Sequence, residues 1–295
     1  MRSPSRDALV FLLFCAPNAA LLLVFTHGPL VYNLVLSLTD RRLLGADSQW
    51  VGLSNYAMLL QDADFIRVVL NTIAYACAVV LIAQVCALAV AMLLNRPVWG
   101  RGLFRTLVFS PWVTTPAAAA IVWIVLLDPD AGPLATLYHA LGVEGPRWLS
   151  NGLLALVALI TLGAWKETAF AAIFYLAGLQ RVPVELYESA RLETSRHFPV
   201  FWHVTLPMLR PVTFFLVVTG LIASFKTFEA VDLMTKGGPV YPDSSLFVFH
   251  LYRTAFENYR IGEAAAQATL FLVAGILITT LQFVAAKRWG ALEGE

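Results

Sequence analysis

Residues 181–211 read RVPVELYESARLETSRHFPVFWHVTLPMLRP, the one long polar, charge-dense stretch in an otherwise apolar chain. Apolar runs long enough to cross a bilayer lie on both sides, so the stretch is predicted to be a surface loop. Its first part predicts a short helix with Pro183 at the first position, where a missing N–H costs nothing. A second helix is predicted to open at Pro199 and to end where Pro207 and Pro211 break the pattern. One apolar stripe at helical spacing supports it: Phe198, Phe201, Trp202, Thr205 and Leu206. An amphipathic loop lying on lipid headgroups would show the same pattern.

The composition is that of a polytopic membrane protein surrounded by lipid. Of the 295 residues, 59% are hydrophobic and 13% are charged, whereas soluble proteins carry about 25% charged residues. The net charge is +1 and no basic run marks a nucleic-acid surface, so no nucleic-acid partner is predicted. Cys15, Cys77 and Cys86 lie in apolar runs without metal-ligand spacing, so no metal or cofactor is predicted.

Six apolar stretches exceed the roughly 20 residues that a membrane-spanning helix needs. The predicted spans cover about residues 9–36, 68–94, 103–127, 153–176, 212–234 and 264–286. The sequence therefore predicts an all-α fold with six transmembrane helices in a single domain over residues 1–295.

The charges of the connecting loops indicate the orientation of these spans. The side that holds both termini and residues 181–211 carries eleven Lys and Arg residues and six acidic residues. The other side carries seven Lys and Arg residues and eleven acidic residues. Because basic loops stay in the cytoplasm, both termini and the 181–211 loop are predicted to be cytoplasmic.

Residues 188–211 carry a motif. Glu188-Ser189-Ala190 and Glu193-Thr194-Ser195, followed by Leu206-Pro207 with Leu209 and Pro211, closely resemble the EAA loop of ABC importer permeases. That family reads roughly EAAxxDGA, then IxLPxLxP. Thr194 stands where the family usually has Gly, and Ser189 replaces its first Ala. A β-branched Thr resists the backbone turn that Gly permits, so Thr194 bears on the angle between the two short helices.

The resemblance extends over nearly the whole chain. Gly52-Leu53-Ser54-Asn55-Tyr56, Thr235-Lys236-Gly237-Gly238-Pro239 and Tyr252-Arg253-Thr254-Ala255-Phe256 resemble the family's GLxNY, TxGGP and YxxAF stretches, in the right order between the right spans. The resemblance implies the permease subunit of an ATP-driven, binding-protein-dependent importer in a bacterial cytoplasmic membrane. Implied partners are a second, homologous permease forming a heterodimer, two ATP-binding subunits and an extracytoplasmic solute-binding protein.

The chain has no GxxxxGK[ST] phosphate-binding loop, so it is not expected to be an enzyme and the ATPase must be another chain. In the family, the EAA loop docks on the ATP-binding subunits. The coupling residues carried over onto this sequence are Glu188, Ser189, Ala190, Glu193, Thr194, Ser195, Phe201, Trp202, Leu206 and Pro207. By this resemblance Glu188 would anchor the loop through a polar contact, while Phe201, Trp202 and Leu206 would fill an apolar groove.

Ionisable side chains in or near the spans are costly and are therefore candidates for the solute path. They are Lys166, Glu167, Lys226, Glu229 and Asp232. Lys226 and Glu229 are three residues apart and would pair on one helix face. The alternative is that both Lys–Glu pairs merely neutralise themselves near an interface.

The motifs resemble carbohydrate-type importers, and residues 228–232 and 264–267 look closer to the glycerol-3-phosphate branch than to the maltose branch. Glycerol 3-phosphate or a related glycerophospho-compound is thus a candidate solute, with Lys226 as the candidate cation; other sugars are equally compatible. The alternative function is an ion-coupled secondary transporter of a small polar solute, which needs a midplane carboxylate and inverted repeats that the sequence does not show. A membrane-embedded enzyme would need a clustered catalytic set, yet the five histidines are dispersed.

Overall fold

The computed structural model describes residues 4–45, 48–96, 100–194, 196–239 and 241–288. Within these ranges the chain is helical, and the single β-type pairing is an isolated bridge between Thr39 and Trp50. The all-α fold is confirmed. The α-helices are α1 (Pro4–Leu22), α2 (Gly28–Leu36), α3 (Ser54–Gln61), α4 (Ala63–Asn95), α5 (Arg101–Val113), α6 (Pro116–Leu126), α7 (Pro133–Ala140), α8 (Gly152–Arg181), α9 (Val184–Glu193), α10 (His197–Val200), α11 (Leu206–Met208), α12 (Arg210–Phe225), α13 (Phe247–Tyr252) and α14 (Ile261–Arg288). Short π-helical segments cover Leu23–His27, Phe201–Thr205, Val231–Thr235 and Arg253–Glu257.

Four described helical stretches are long and apolar enough to cross a membrane alone: Leu13–Leu36, Ala63–Asn95, Gly152–Arg181 and Ile261–Lys287. The number of candidate membrane spans rises to six if each of two bent helix pairs counts as one span. The chain bends by 100° between α5 and α6, and by 65° between the segment His197–Met208 and α12.

The third predicted span, residues 103–127, is not one straight helix. α5 ends at Val113, and the chain is extended at Thr114 and Thr115 before α6 begins at Pro116. Proline disfavours helical geometry in the residue before it, which explains the extended Thr115. Thr115 then caps α6, because its side chain accepts a hydrogen bond from the Ala118 N–H at 3.3 Å.

The fifth predicted span, residues 212–234, also differs. Its helix α12 begins two residues earlier than predicted, at Arg210, and ends at Phe225. The chain is not helical at Lys226 and Thr227, and a short helical segment begins at Glu229. The break begins at Lys226, the first charged residue after Arg210. A polar backbone segment inside the membrane is tolerated where it lines a cavity, and such a cavity lies at this break.

The chain divides into two compact units. The first comprises Met1–Asp62 and Leu251–Ala274. In it, the Asn55 side-chain amide donates to the carbonyl oxygens of Ser37 and Thr39, both at 2.9 Å, which gives the Asn of the GLxNY stretch a structural role. The Asn33 amide donates to the Ala265 carbonyl at 3.2 Å and so joins α2 to α14.

The second unit comprises Ala63–His250 and Gly275–Glu295 and is built around the packing of α4 against α8. Both helices bury small residues at their contact, among them Ala83 and Ala87 of α4 and Ala171 and Ala172 of α8. Small side chains let two backbones approach closely, which is the main source of attraction between helices in lipid.

One glycine marks the tightest point of this contact. A Cβ atom added at Gly163 of α8 would overlap the Tyr75 hydroxyl of α4 and lie 3.0 Å from Val79 Cγ2. We therefore expect Gly163→Ala to lower the apparent unfolding temperature in detergent, because overpacking a close contact costs about 1–3 kcal/mol.

Gly275 in α14 is the matched control, since an added Cβ there meets nothing within 4 Å. Gly275→Ala is expected to leave the unfolding temperature unchanged or to raise it, because Ala favours a helix over Gly by up to about 1 kcal/mol. Equal unfolding temperatures for the two variants would contradict the close α4–α8 contact.

Candidate functional site

The 181–211 loop forms two helical segments, and Thr194 and Arg196 between them are both extended. The first is α9, for which Pro183 is the residue before the helix rather than its first member. Thr194 has φ −150° and ψ 135°, ordinary extended geometry that a β-branched residue adopts readily. Its Oγ1 accepts a hydrogen bond from the Arg196 N–H at 3.2 Å. The absence of the family glycine at this position therefore imposes no backbone strain.

The second segment begins at His197, two residues before the predicted start at Pro199. Pro199 fits there because N–H groups in a first helical turn have no intrahelical acceptor. The helix also passes through Pro207 to Met208 rather than ending at Pro207. A π-helical turn precedes Pro207, in which the Leu206 N–H bonds to the Phe201 carbonyl.

The base of the loop is anchored in the second unit. Val182, Thr205 and Leu209 are buried, and Leu209 is fully so. Leu209 packs against Gly178 of α8, where an added Cβ would lie 2.8 Å from Leu209 Cδ2. The Tyr187 hydroxyl lies 3.3 Å from Thr205 Oγ1 and ties α9 to the second helical segment.

The opposite face of the loop is exposed and partly apolar. The exposed fractions are 90% for Leu192, 73% for Phe198 and 49% for Trp202. The Phe198 and Trp202 rings pack edge to face with centroids 6.0 Å apart. We call Leu192, Phe198 and Trp202 the exposed knob. Glu188 is also exposed and makes no hydrogen bond or ion pair among the described residues.

The predicted coupling residues thus fall into three groups. Glu188, Ser189, Glu193 and Trp202 are exposed; Ala190, Thr194, Phe201, Leu206 and Pro207 are half-buried; Ser195 lies outside the described residues. Of the predicted apolar stripe, Phe198 and Trp202 are exposed, Phe201 and Leu206 are half-buried, and Thr205 is buried.

A second site, in the interior of the same unit, is a cavity of about 250 Å³. It is lined by α4, α8, the α5–α6 break and the break after α12. Four of the five predicted path residues line it, namely Lys166, Glu167, Lys226 and Glu229. Asp232 is half-buried and is not among the lining residues.

Lys166 has a structural task at this cavity. Its Nζ donates to the carbonyl oxygens of Pro111, at 2.8 Å, and of Thr114. These carbonyls belong to the last turn of α5, which has no following turn to supply N–H groups. Lys166 therefore compensates for the α5–α6 break, and no ion pair joins it to Glu167 in the described part of the chain.

Glu167 is the buried acid of the cavity, with 6% of its surface exposed. Gly220 of α12 leaves room for it, because an added Cβ would lie 3.0 Å from Glu167 Oε1. That oxygen has no hydrogen-bond partner among the described residues. A buried acceptor of this kind is costly unless something pairs with it, which suits a group that binds a solute.

Lys226 and Glu229 do not pair as predicted. The helix ends at Phe225, so the three-residue spacing no longer places them on one face. Both side chains are exposed and no ion pair joins them in the described chain. Neither Lys–Glu pair therefore forms an ion pair in the described chain.

The lining residues that were not singled out from the sequence include Tyr75, Trp112 and Thr227. Thr227 Oγ1 donates to the Tyr75 hydroxyl at 3.4 Å, so these two bring hydroxyl groups to the cavity. A tyrosine inside the apolar run of α4 was an available signal. Leu192 of the exposed knob was missed as well, because a single Leu between charged residues shows no periodicity.

Comparison with known proteins bears on the identity of the chain. Residues 80–289 match the family described as binding-protein-dependent transport system inner membrane component. Two relatives are each named sn-glycerol-3-phosphate transport system permease protein UgpA. The one from Agrobacterium fabrum (strain C58 / ATCC 33970) is 32% identical over 274 residues, 92% of each chain. The one from Yersinia pestis bv. Antiqua (strain Antiqua) is 32% identical over 289 residues, 95% of this chain and 96% of that one.

A solved structure of similar fold is that of a bacterial alginate ABC transporter in complex with an alginate pentasaccharide-bound periplasmic protein. The TM-score is 0.83 at 22% identity, and 96% of each chain is covered. The matched relatives are transport permeases, which confirms that this chain is not an enzyme and that separate subunits hydrolyse ATP. The chain belongs to the family of binding-protein-dependent transport system inner membrane components, and is the permease subunit of an ABC importer that works with a binding protein and ATPase subunits.

Proposed function

We propose that this chain is one half of a heterodimeric permease, with residues 1–295 as a single transmembrane domain and residues 181–211 as its coupling loop on the ATPase. The observation that carries the proposal is the two-sided construction of the loop. Leu209 fixes its base to α8, while Leu192, Phe198 and Trp202 project from the other side.

The exposed knob has the composition of an interface anchor. Trp is enriched among the residues that carry most of the binding energy at protein interfaces. The Trp202 ring is held in place by edge-to-face contacts with Phe198 and Phe201, the latter at 5.6 Å between centroids. A side chain fixed in this way loses little freedom when it enters a groove on a partner.

Glu188 supplies the polar part of the docking surface. It is exposed on α9 and makes no ion pair within the described residues, so it is available to a cationic or N–H donor of the ATP-binding subunit. The other described coupling residues, Ser189, Ala190, Glu193, Thr194 and Pro207, are proposed to border these contacts.

One loop per chain sets the stoichiometry that we propose. An ATPase dimer presents two grooves related by a two-fold axis, so one loop of this kind fills one groove. The second groove then takes a loop from a homologous sister permease, which gives two permeases and two ATP-binding subunits. A solute-binding protein docks on the opposite, extracytoplasmic side.

The proposed solute is of the carbohydrate class, with glycerol 3-phosphate or a related glycerophospho-compound as the specific candidate. The relatives named for sn-glycerol-3-phosphate transport support this choice. The cavity offers a carboxylate at Glu167, hydroxyls at Tyr75 and Thr227, an indole at Trp112 and an ammonium at Lys226. Carboxylate and hydroxyl groups bind sugar hydroxyls, and Lys226 is the cation available for a phosphate.

A test of the coupling role replaces Glu188 by Ala in the assembled complex. Truncating one partner of a buried charged contact costs about 2–5 kcal/mol, so we expect binding-protein-stimulated ATP hydrolysis to fall about tenfold or more. The unfolding temperature should stay close to that of the parent, because the exposed Glu188 side chain makes no hydrogen bond or ion pair within the described chain.

Glu185→Ala is the control, since Glu185 is an exposed acid one turn earlier on α9 and outside the EAA pattern. It should retain near-normal hydrolysis. Normal solute uptake with Glu188→Ala would refute the assigned role.

The orientation is tested by cysteine labelling after Cys15, Cys77 and Cys86 are replaced by Ser. His197→Cys in the loop and Asp130→Cys between α6 and α7 are both at exposed positions. In intact cells, an impermeant thiol reagent should label Asp130→Cys but not His197→Cys, because the basic side of the chain faces the cytoplasm. The reverse pattern would overturn the cytoplasmic assignment of the loop and of both termini.

A further inference from the structure

A pair of arginines that the transport function does not use lies where α5 begins. Arg101 and Arg105 are one helical turn apart, and both reach Gln180 at the end of α8. With the Gln180 amide oxygen turned toward them, it accepts from an Nη2 atom of each arginine at 2.9 Å. Two cationic groups therefore converge on one neutral oxygen.

The charge at this point is not balanced by the chain that the structure describes. The ion pairs found there are Arg67 with Asp243, Arg253 with Glu257 and Arg260 with Glu263, none of which involves Arg101 or Arg105. The Nε atoms of Arg101 and Arg105 are buried and donate to no described acceptor. Both side chains are half-buried, and a guanidinium group partly withdrawn from water is stabilised by an anion beside it.

The start of α5 adds to the positive potential. Gly100, which precedes the helix with φ +77°, contributes no side-chain cap, and the first turn holds no acidic residue. The first N–H groups of a helix carry a partial positive charge, which favours an anion beside them.

The exposed surface of α5 is apolar. Phe104, which is 49% exposed, lies on the same side of the helix as Arg101 and Arg105, while Leu103 and Leu107, 65% and 57% exposed, lie on its opposite side. An anion that binds here therefore borders a surface suited to hydrocarbon chains. A phospholipid supplies both parts, whereas a free phosphate ion supplies only the charge.

We propose that Arg101, Arg105 and Gln180 bind the headgroup phosphate of an anionic phospholipid. Guanidinium groups match phosphate oxygens in paired, charge-assisted hydrogen bonds. The arginines lie on the basic side of the chain, so the lipid belongs to the cytoplasmic leaflet. The bound phosphate would join the start of α5 to the end of α8, one residue before Arg181, where the coupling loop begins.

Lipid binding to the purified full chain, with the subunits that accompany it, tests this site by native mass spectrometry. The protein is delipidated and titrated with phosphatidylglycerol, with phosphatidylcholine as the uncharged comparison. In the double variant Arg101→Gln/Arg105→Gln we expect phosphatidylglycerol to bind about tenfold or more weakly, the scale expected when charge-assisted hydrogen bonds are lost. Arg96→Gln, an exposed arginine on the same side, should bind like the parent.

Three outcomes overturn the proposal: unchanged phosphatidylglycerol binding in the double variant, an equal loss with Arg96→Gln, or displacement of the lipid by inorganic phosphate at matched concentration, which would assign the site to a free anion.

Should the double variant fail to fold, a crosslinking experiment on the unaltered protein decides the question. A phosphatidylglycerol with a photoreactive headgroup should crosslink to residues near Arg101, Arg105 or Gln180. Crosslinks confined to other parts of the chain would refute the site.

Discussion

The close packing of Leu209 against Gly178 is the constraint on which the proposed coupling depends. It joins the helix that enters the loop, α8, to the residue that precedes α12. An added Cβ at Gly178 would lie 2.8 Å from Leu209 Cδ2 and 3.1 Å from Val212 Cγ2, so a larger residue at this position would require these side chains to shift. One turn away, the Tyr175 hydroxyl donates to Gln84 Oε1 at 2.6 Å and lies 3.0 Å from Thr213 Oγ1, which adds α4 to the same junction. The base of the loop and these helices therefore move together.

The same helices carry the cavity, which gives the loop a mechanical connection to the solute path. Glu167 lies on α8, and Ser224 and Lys226 lie at the end of α12. From Glu167 to the end of α8 the distance is about 20 Å at 1.5 Å per residue, along a continuous helix. We propose that a displacement of the exposed knob by the ATPase is transmitted to the cavity walls through these helices rather than through a flexible linker. The breaks after α5 and α12 provide non-helical backbone where the cavity needs polar lining.

The sequence predicted the all-α membrane fold and the family because both depend on long-range composition and on fixed spacings in residues 188–211. It did not predict the breaks at residues 114–115 and 226–228, because an apolar average over about 20 residues is insensitive to two or three irregular positions. Thr115-Pro116 was a local signal of the first break. The role of Lys166 was not predictable, because the carbonyl groups that accept its hydrogen bonds lack helical N–H donors only where α5 ends early. Thr194 was expected to affect the inter-helix angle, yet extended geometry accommodates it without strain.

The most direct test asks whether the state of the ATPase reaches the cavity through the loop. Ser224 lines the cavity, is buried, and is close in size to Cys, so Ser224→Cys in a chain otherwise free of cysteine reports access from outside. The account predicts that a non-hydrolysable ATP analogue with the solute-binding protein increases labelling by an impermeant thiol reagent, and that Trp202→Ala abolishes this increase. Coupling through the loop would be contradicted if the nucleotide did not change the labelling, or if it increased the labelling equally with and without Trp202→Ala.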